Sequence, residues 1–194
     1  MIYTSNYKNF NSSKFKSISI SGDKGKDAGY KGDCILSLAP KYYFFRKYKD
    51  NRGIISDEEN EMYYIREYYQ QVLSCLDPSE VYNMLDGMIM LCYEDNTDFC
   101  HRHIVAAWLE LLLDVNVCEV IEKDNKLISI DRPERIKKML EVVMRENIDM
   151  HGFDSLRAAY LYEQYLKIED KDMKDLLMRE VSDEDERHKM RVKK

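Results

Sequence analysis

One stretch of the sequence indicates the fold most directly: Met88-Ile89-Met90-Leu91-Cys92-Tyr93. It is an uninterrupted apolar run, and it lies between the polar pairs Asp86-Gly87 and Glu94-Asp95. A strand that is apolar on both faces is typical of the middle of a parallel sheet, where helices cover both sides. The stretch therefore predicts an α/β protein with this strand inside the sheet.

Further strands and helices are predicted on both sides of this stretch. Ser56-Asp57-Glu58-Glu59 has the pattern of a capping box at a helix start, and residues 104–113 are apolar nearly all round, which is typical of a deeply packed helix. Four more stretches favour β-structure, namely residues 2–7, 15–20, 117–121 and 127–130. We expect a Rossmann-like, mostly parallel sheet flanked by helices.

The last third of the chain is predicted to be helical. Asp131-Arg132-Pro133 is a helix start, and further helices are expected over residues 155–168 and 171–181. Residues 182–194 are acidic and then basic, and we expect them to be frayed. The chain is therefore divided into an α/β domain, residues 1–130, and an α-helical C-terminal extension, residues 131–194, with a flexible tail.

Composition places the chain among cytoplasmic globular proteins. It has 194 residues, of which 44% are hydrophobic and 34% charged, and it contains no apolar run long enough to cross a bilayer and no signal-peptide pattern. Its five cysteines are odd in number and irregularly spaced, which indicates reduced thiols, not a disulfide framework. We expect no membrane partner.

Charge is distributed unevenly along the chain. The formal net charge is −6, but residues 1–52 contain eleven Lys or Arg against four Asp. A protein that is acidic overall, with one basic quarter, is not expected to coat nucleic acid broadly. The basic quarter either binds an anion locally or is a solvated segment that balances the acidic remainder.

The chemistry-bearing side chains concentrate where the apolar strand ends and the next helix begins. Leu91-Cys92-Tyr93-Glu94 is followed, after a polar gap, by Phe99-Cys100-His101-Arg102-His103. Cys92 falls at the carboxyl end of the strand, and Cys100 and His101 fall in the first turn of the helix. Because a helix N-terminus stabilises negative charge, Cys100 is the better candidate for a thiol of low pKa.

Three interpretations of this junction stay open at the level of sequence. In the first, Cys92 or Cys100 is a nucleophile or redox thiol. His101 then carries the proton, and Arg102 binds an anionic group. In the second, the cysteines and histidines bind zinc, although the spacing C-x7-C-H-x-H lacks the usual C-x-x-C pair. In the third, both cysteines are small buried apolar residues. We favour the first over the second, and predict no metal ion and no cofactor.

A glycine-rich segment, residues 22–32, is expected to form a loop at the same sheet edge as Cys92. Its backbone N–H groups, together with Lys24, Lys26 and Lys31, suit phosphate, and Tyr30 is placed to stack on a base. The segment lacks the Walker and Rossmann glycine spacings. An exposed, solvated loop is the alternative interpretation.

The junction also resembles a known sequence signature. Leu91-Cys92-Tyr93-Glu94 with Cys100-His101-Arg102 is similar to the signature of domain-of-unknown-function family number 488, and Tyr3-Thr4-Ser5 and Leu38-Ala39-Pro40 are similar to that family's pattern. The resemblance covers about residues 1–122. It implies a Rossmann-like α/β fold and no established reaction. The site that it implies consists of Cys92, Glu94, Cys100, His101 and Arg102, and we add Ser5 as a candidate ligand contact.

Three functions follow as hypotheses. The leading one is an enzyme-like domain that acts on a phosphate-bearing ligand through the thiols, His101 and Arg102. This ligand is an anionic small molecule or nucleotide, and a nucleic-acid-derived component is included. The second is a protein that binds a nucleotide-like ligand without turning it over. The third is an interaction protein that forms homo-oligomers through its C-terminal helices.

Overall fold

The computed structural model describes residues 1–10 and 14–193 and contains one five-stranded sheet. The strands lie in the order β2-β3-β1-β4-β5, and the first four are parallel. Their bounds are β1 Ile2–Asn6, β2 Ser17–Ser19, β3 Ile89–Cys92, β4 Val117–Lys123 and β5 Lys126–Ile130. The predicted α/β class and the mostly parallel sheet are therefore confirmed.

The position of β3 follows from its apolar sequence. All four of its residues are buried, and it pairs with β1 on one side and β2 on the other. In the described residues, β4 and β5 form the one antiparallel pair, and a tight turn at Asp124 and Asn125 joins them. Both turn residues have positive φ angles, of 52° and 59°, which short polar side chains tolerate in a hairpin turn.

The described part of the chain contains seven α-helices. Their starts follow local signals: Ser56 forms the predicted capping box with Glu59, and Pro78 occupies the first turn of the third helix. Their bounds are α1 Tyr42–Asp50, α2 Asp57–Gln71, α3 Pro78–Leu85, α4 His101–Leu113, α5 Glu134–Asn147, α6 Leu156–Lys167 and α7 Lys171–Val192. None of these helices is both long and apolar enough to cross a membrane.

The two faces of the sheet are covered differently. On one face, Ile2, Met90 and Val117 belong to the main hydrophobic core, which includes Trp108 of α4 and residues of α2 and α5. On the other face, Ile89, Leu91 and Val120 form a smaller cluster. It is completed by residues of strands, loops and connections, namely Tyr3, Tyr7, Phe10, Phe15, Tyr30, Cys118 and Leu127. Among the residues that the structure describes, no helix contributes to this cluster. We expected helices to cover both faces of the sheet. The described helices cover only one face, and the other is covered largely by aromatic side chains of strands and loops.

The C-terminal helices pack in succession on the rest of the chain. Helix α5 packs against α2 and α4, α6 against α4, and α7 against α6. Helix α7 continues to Val192, so the expectation of a frayed tail after residue 181 is wrong up to that point. The reason is that Glu184 and Asp185 are buried, and Asp185 accepts backbone hydrogen bonds from Asp154 and Ser155. The domain boundary at residue 130 stays a prediction.

Candidate functional site

The strand-to-helix junction lies where the sequence predicts it. Cys92 is the last residue of β3, Cys100 immediately precedes α4, and His101 is the first residue of that helix. A turn in the intervening loop, with the Asp98 N–H donating to the Asp95 carbonyl at 3.2 Å, reverses the chain between the two cysteines. Residues eight apart in sequence therefore meet at the carboxyl edge of the parallel strands.

Four side chains converge at this junction. The Cys92 sulfur lies 3.6 Å from His101 Nδ1, and the Cys100 sulfur lies 4.0 Å from the same nitrogen. Glu94 Oε2 is 3.4 Å from Cys92 Sγ and 3.2 Å from Cys100 Sγ. We call Cys92, Glu94, Cys100 and His101 the cysteine cluster.

The imidazole of His101 is oriented by a backbone carbonyl of the segment that follows β2. Its Nε2 lies 3.0 Å from the carbonyl oxygen of Ile20, just beyond β2. A carbonyl only accepts hydrogen bonds, so Nε2 must carry the proton and donate it. The neutral ring therefore presents the Nδ1 lone pair to the two sulfurs.

The thiol of Cys100 does not have the low pKa that its place beside a helix start predicts. Burial raises its pKa well above the ordinary value, and the neighbouring Cys92 raises it further. Arg102 and His101 oppose this effect without reversing it. The low pKa expected for Cys100 is therefore not found, because burial outweighs the effect of the helix start.

Glu94 and His101 are both shifted toward their charged forms. Burial by itself would raise the pKa of Glu94, but hydrogen bonds, chiefly from Cys100, lower it. Burial would likewise lower the pKa of His101, but Cys100, the Ile20 carbonyl and Glu94 raise it. The cluster thus pairs a carboxylate with an imidazole that can hold a proton.

The cysteine cluster lies at the inner end of a cavity of about 820 Å³. All four of its residues line this cavity, and the mouth is formed by more exposed side chains. The wall is largely aromatic, with Tyr42, Phe45, Tyr48, Tyr64, Tyr93 and Phe99. Charged side chains other than Glu94 and His101 are Asp23, Asp27 and Lys49. The space is large enough for a small organic molecule.

Arg102 does not line the cavity, and its expected role as an anion clamp is wrong. The side chain is fully buried and pairs with Glu119 of β4, with Nη2 2.9 Å from Oε1. Its Nη1 and Nη2 also donate to the carbonyls of Glu94 and Asp95, at 2.8 and 3.0 Å. The guanidinium is therefore committed to holding the cluster's loop against the sheet.

The glycine-rich loop reaches the cavity with its acidic residues and not its basic ones. It leaves the carboxyl end of β2, as predicted, and supplies Gly22, Asp23 and Asp27 to the cavity wall. Lys24 and Lys26 are exposed and line no part of this cavity. The loop makes this wall negative, which is the opposite of the charge expected from its lysines.

The other predicted ligand contacts also lie elsewhere. Lys31 and Tyr30 line a separate cavity of about 700 Å³, formed with Tyr7 and Phe15. Ser5 is buried in β1, where its hydroxyl donates to the Val120 carbonyl at 2.7 Å. The structure therefore brings none of the five predicted ligand contacts to the cysteine cluster.

Several residues at the site were not predicted from the sequence. They are the Ile20 carbonyl, Ser21, whose hydroxyl lies 3.7 Å from Cys92 Sγ, and the aromatic side chains of α1 and α2. The aromatic run Tyr42-Tyr43-Phe44-Phe45 was the only local signal for the last group. His103 faces away from the cluster and lies 3.4 Å from Glu119, so His101 and His103 point to different sides of α4.

Comparison with known proteins leaves the function to be argued from this geometry. Neither the protein-family models, nor the curated proteins, nor the solved structures contained a match to this chain. The resemblance to family number 488 stays a prediction. The function is therefore argued from the cysteine cluster and its cavity alone.

Proposed function

We propose that this protein is an enzyme that acts on a nucleotide or nucleic-acid-derived ligand at the cysteine cluster. The observation that carries the proposal is the convergence of two thiols, an imidazole and a carboxylate at the inner end of one cavity. Titratable groups with shifted pKa values that converge in a concave pocket are candidates for acid–base and nucleophilic roles.

The wall of the cavity favours a planar ligand. Tyr48 and Phe99 are buried with ring centroids 5.3 Å apart, and Phe45 and Tyr64 present further rings to the same space. Aromatic faces bind bases by stacking, without demanding one particular base. A nucleobase is the planar group that suits such a wall.

Charge indicates which end of the ligand faces the cluster. Of the described residues, Asp23, Asp27 and Glu94 bring carboxylates to the cavity wall, whereas Lys49 alone brings an ammonium group. Carboxylates accept hydrogen bonds from base amino and ring N–H groups and repel phosphate. We therefore place the base in the cavity, and any phosphate outside its mouth.

The place of the cavity in the fold supports the same proposal. It opens at the carboxyl ends of β2 and β3, the edge at which open α/β sheets bind ligands. We propose that the sheet is Rossmann-like, with its ligand site at the carboxyl ends of parallel strands. Self-association through the C-terminal helices is a separate proposal, for which several exposed apolar side chains of α7 give the only support.

Incubation of the full chain with nucleobases, nucleosides and nucleotides, followed by mass spectrometry of the products, tests the proposal. We expect one ligand class to be converted, with conversion lost in Glu94→Gln and His101→Asn. Cys118→Ser is the matched control, because Cys118 lies on the opposite face of the sheet. Ligand that binds but is recovered intact indicates a binding protein instead, and the absence of any binding rejects the proposal.

A further inference from the structure

We propose that Cys92, Cys100 and His101 form a binding site for a divalent zinc-class metal ion, open to the cavity. Metal binding is a property of these three side chains alone. Its use in catalysis rests on the proposed function.

The first argument is the spacing of the three ligand atoms. Both sulfurs and His101 Nδ1 lie within 4.8 Å of one another, with sulfur-to-nitrogen distances of 3.6 and 4.0 Å. A tetrahedral zinc ion, with bonds of about 2.3 Å to sulfur and about 2.0 Å to nitrogen, keeps its ligand atoms about 3.5 to 3.8 Å apart. Small side-chain adjustments are sufficient to reach that arrangement.

The second argument is the tautomer of His101. Metal-bound histidines commonly donate their other ring N–H to a backbone carbonyl, which fixes the ring and directs the free lone pair at the metal. The Ile20 carbonyl does this for His101, at 3.0 Å from Nε2. The sequence argument against zinc depended on a missing C-x-x-C pair. The loop between Cys92 and Cys100 replaces that pair by bringing the cysteines together in space.

The third argument is the chemical type of the ligands. Two sulfurs and one imidazole suit zinc and similar borderline or soft ions, whereas Mg²⁺ and Ca²⁺ prefer oxygen. The three side chains are only 2%, 3% and 7% exposed, for Cys92, Cys100 and His101 respectively. Two thiolates balance the charge of one divalent ion, which makes this composition suitable for a buried position.

The open side of the site indicates a catalytic rather than a purely structural ion. Structural zinc sites are closed by four protein ligands, whereas catalytic sites use three and keep one position for water or substrate. Here the three ligands line the cavity, and Glu94 Oε2 lies within 3.4 Å of both sulfurs. A bound ion would supply Lewis acidity, and Glu94 is placed to hold a proton at Oε2.

Metal titration of the full chain tests this inference. Protein stripped with a chelator and dialysed is titrated with Zn²⁺ against a chromophoric competing chelator, and separately with Co²⁺, followed by absorption. We expect one ion per chain and, with Co²⁺, thiolate charge-transfer and tetrahedral ligand-field bands. Cys92→Ser and Cys100→Ser should lose both signals. Cys75→Ser, at an exposed thiol outside the cluster, should retain them.

Alkylation gives a measurement that does not depend on the variants folding. With Zn²⁺ bound, Cys92 and Cys100 of the unaltered chain should be protected, as mapped by peptide mass spectrometry, while Cys75 reacts with or without metal. Absence of stoichiometric binding, binding unaffected by Cys92→Ser, or recovery of a Cys92–Cys100 disulfide in the metal-treated protein would each overturn the inference.

Different experimental results would reject the proposed enzyme activity and the proposed metal site. Zinc binding without conversion of any nucleobase compound leaves the metal site standing and rejects the enzyme. Conversion that needs Cys92 and Glu94 but proceeds in metal-free protein leaves the enzyme standing and rejects the metal site.

Discussion

The guanidinium of Arg102 lies against the carboxylate of Glu119, with Nη2 2.9 Å from Oε1 and both side chains buried. The pair joins the first turn of α4 to β4 on the face of the sheet that α4 covers. Because Arg102 also binds the carbonyls of Glu94 and Asp95, it holds in place the loop that carries Glu94 of the cysteine cluster.

Removal of the Arg102 side chain is expected to destabilise the protein strongly. Arg102→Met leaves the carboxylate of Glu119 buried without its cation, which typically costs about 3 to 5 kcal/mol. Urea unfolding measures the loss. Arg66→Met is the matched control, because the pair of Arg66 with Glu146 is about half exposed and is worth about 1 kcal/mol or less. Equal losses in the two variants would contradict a structural role for Arg102.

The same pair predicts a specific dependence of stability on pH. Burial would raise the pKa of Glu119, but His103 and Arg102 lower it from 4.5 to about 2. A carboxyl whose pKa is lower in the folded state stabilises the fold above its unfolded pKa, and this contribution disappears as pH falls from about 4.5 to about 2. The difference in unfolding free energy between the unaltered chain and Glu119→Gln should therefore shrink over that window. Urea unfolding at a series of pH values measures it, and a constant difference would reject the explanation.

Asp185, in the second half of α7, is expected to stabilise the start of α6. Asp185 Oδ1 accepts the N–H groups of Asp154 and Ser155, at 2.7 and 3.2 Å. Asp185→Ala leaves these donors unpaired and should cost about 1 to 3 kcal/mol. It should also speed hydrogen exchange at the two amides. Asp183→Ala, at an exposed position of the same helix, is the control; similar effects of the two changes would mean that the contact is unimportant.

Two glycines of the loop that follows β2 give a matched pair of variants. Gly25 and Gly29 have φ angles of 76° and 72°, so alanine is strained at both positions. A Cβ on Gly25 would also lie 2.8 Å from Tyr7 and Tyr30 side-chain atoms, whereas a Cβ on Gly29 meets open space. Gly25→Ala should therefore lower the melting temperature more than Gly29→Ala does. The reverse order would show that the loop packs differently against the two tyrosines.

Local sequence patterns were sufficient to predict the strand and the helix that position the site. The apolar run ending at Cys92 predicts an interior strand, and the polar gap before Cys100 predicts a helix start, because both signals lie within a few residues. Parallel pairing of β2 and β3 then brings the glycine-rich loop to the same edge. The location of the candidate site was therefore accessible from the sequence.

The assignments that failed depend on partners distant in sequence. Arg102 was predicted to bind a ligand because nothing near it in sequence indicates Glu119 as its partner. The lysines of the loop were expected to face the ligand, but the chain direction that places Asp23 and Asp27 in the wall cannot be read from composition. The buried Asp185 resembles a solvated helix residue until α6 is placed beside it. Each case needs long-range packing, which periodicity does not encode.

The hydrogen bond from His101 to Ile20 has a consequence for mutational studies of this protein. The acceptor is a peptide carbonyl, so every side chain at position 20 that preserves the strand leaves the acceptor present. Saturation mutagenesis at position 20 would measure only the effect of replacing the buried isoleucine side chain. It would not detect the hydrogen bond that the backbone carbonyl accepts from His101. Replacement of the backbone itself, by an ester whose carbonyl is a weaker acceptor, is the kind of change that addresses it.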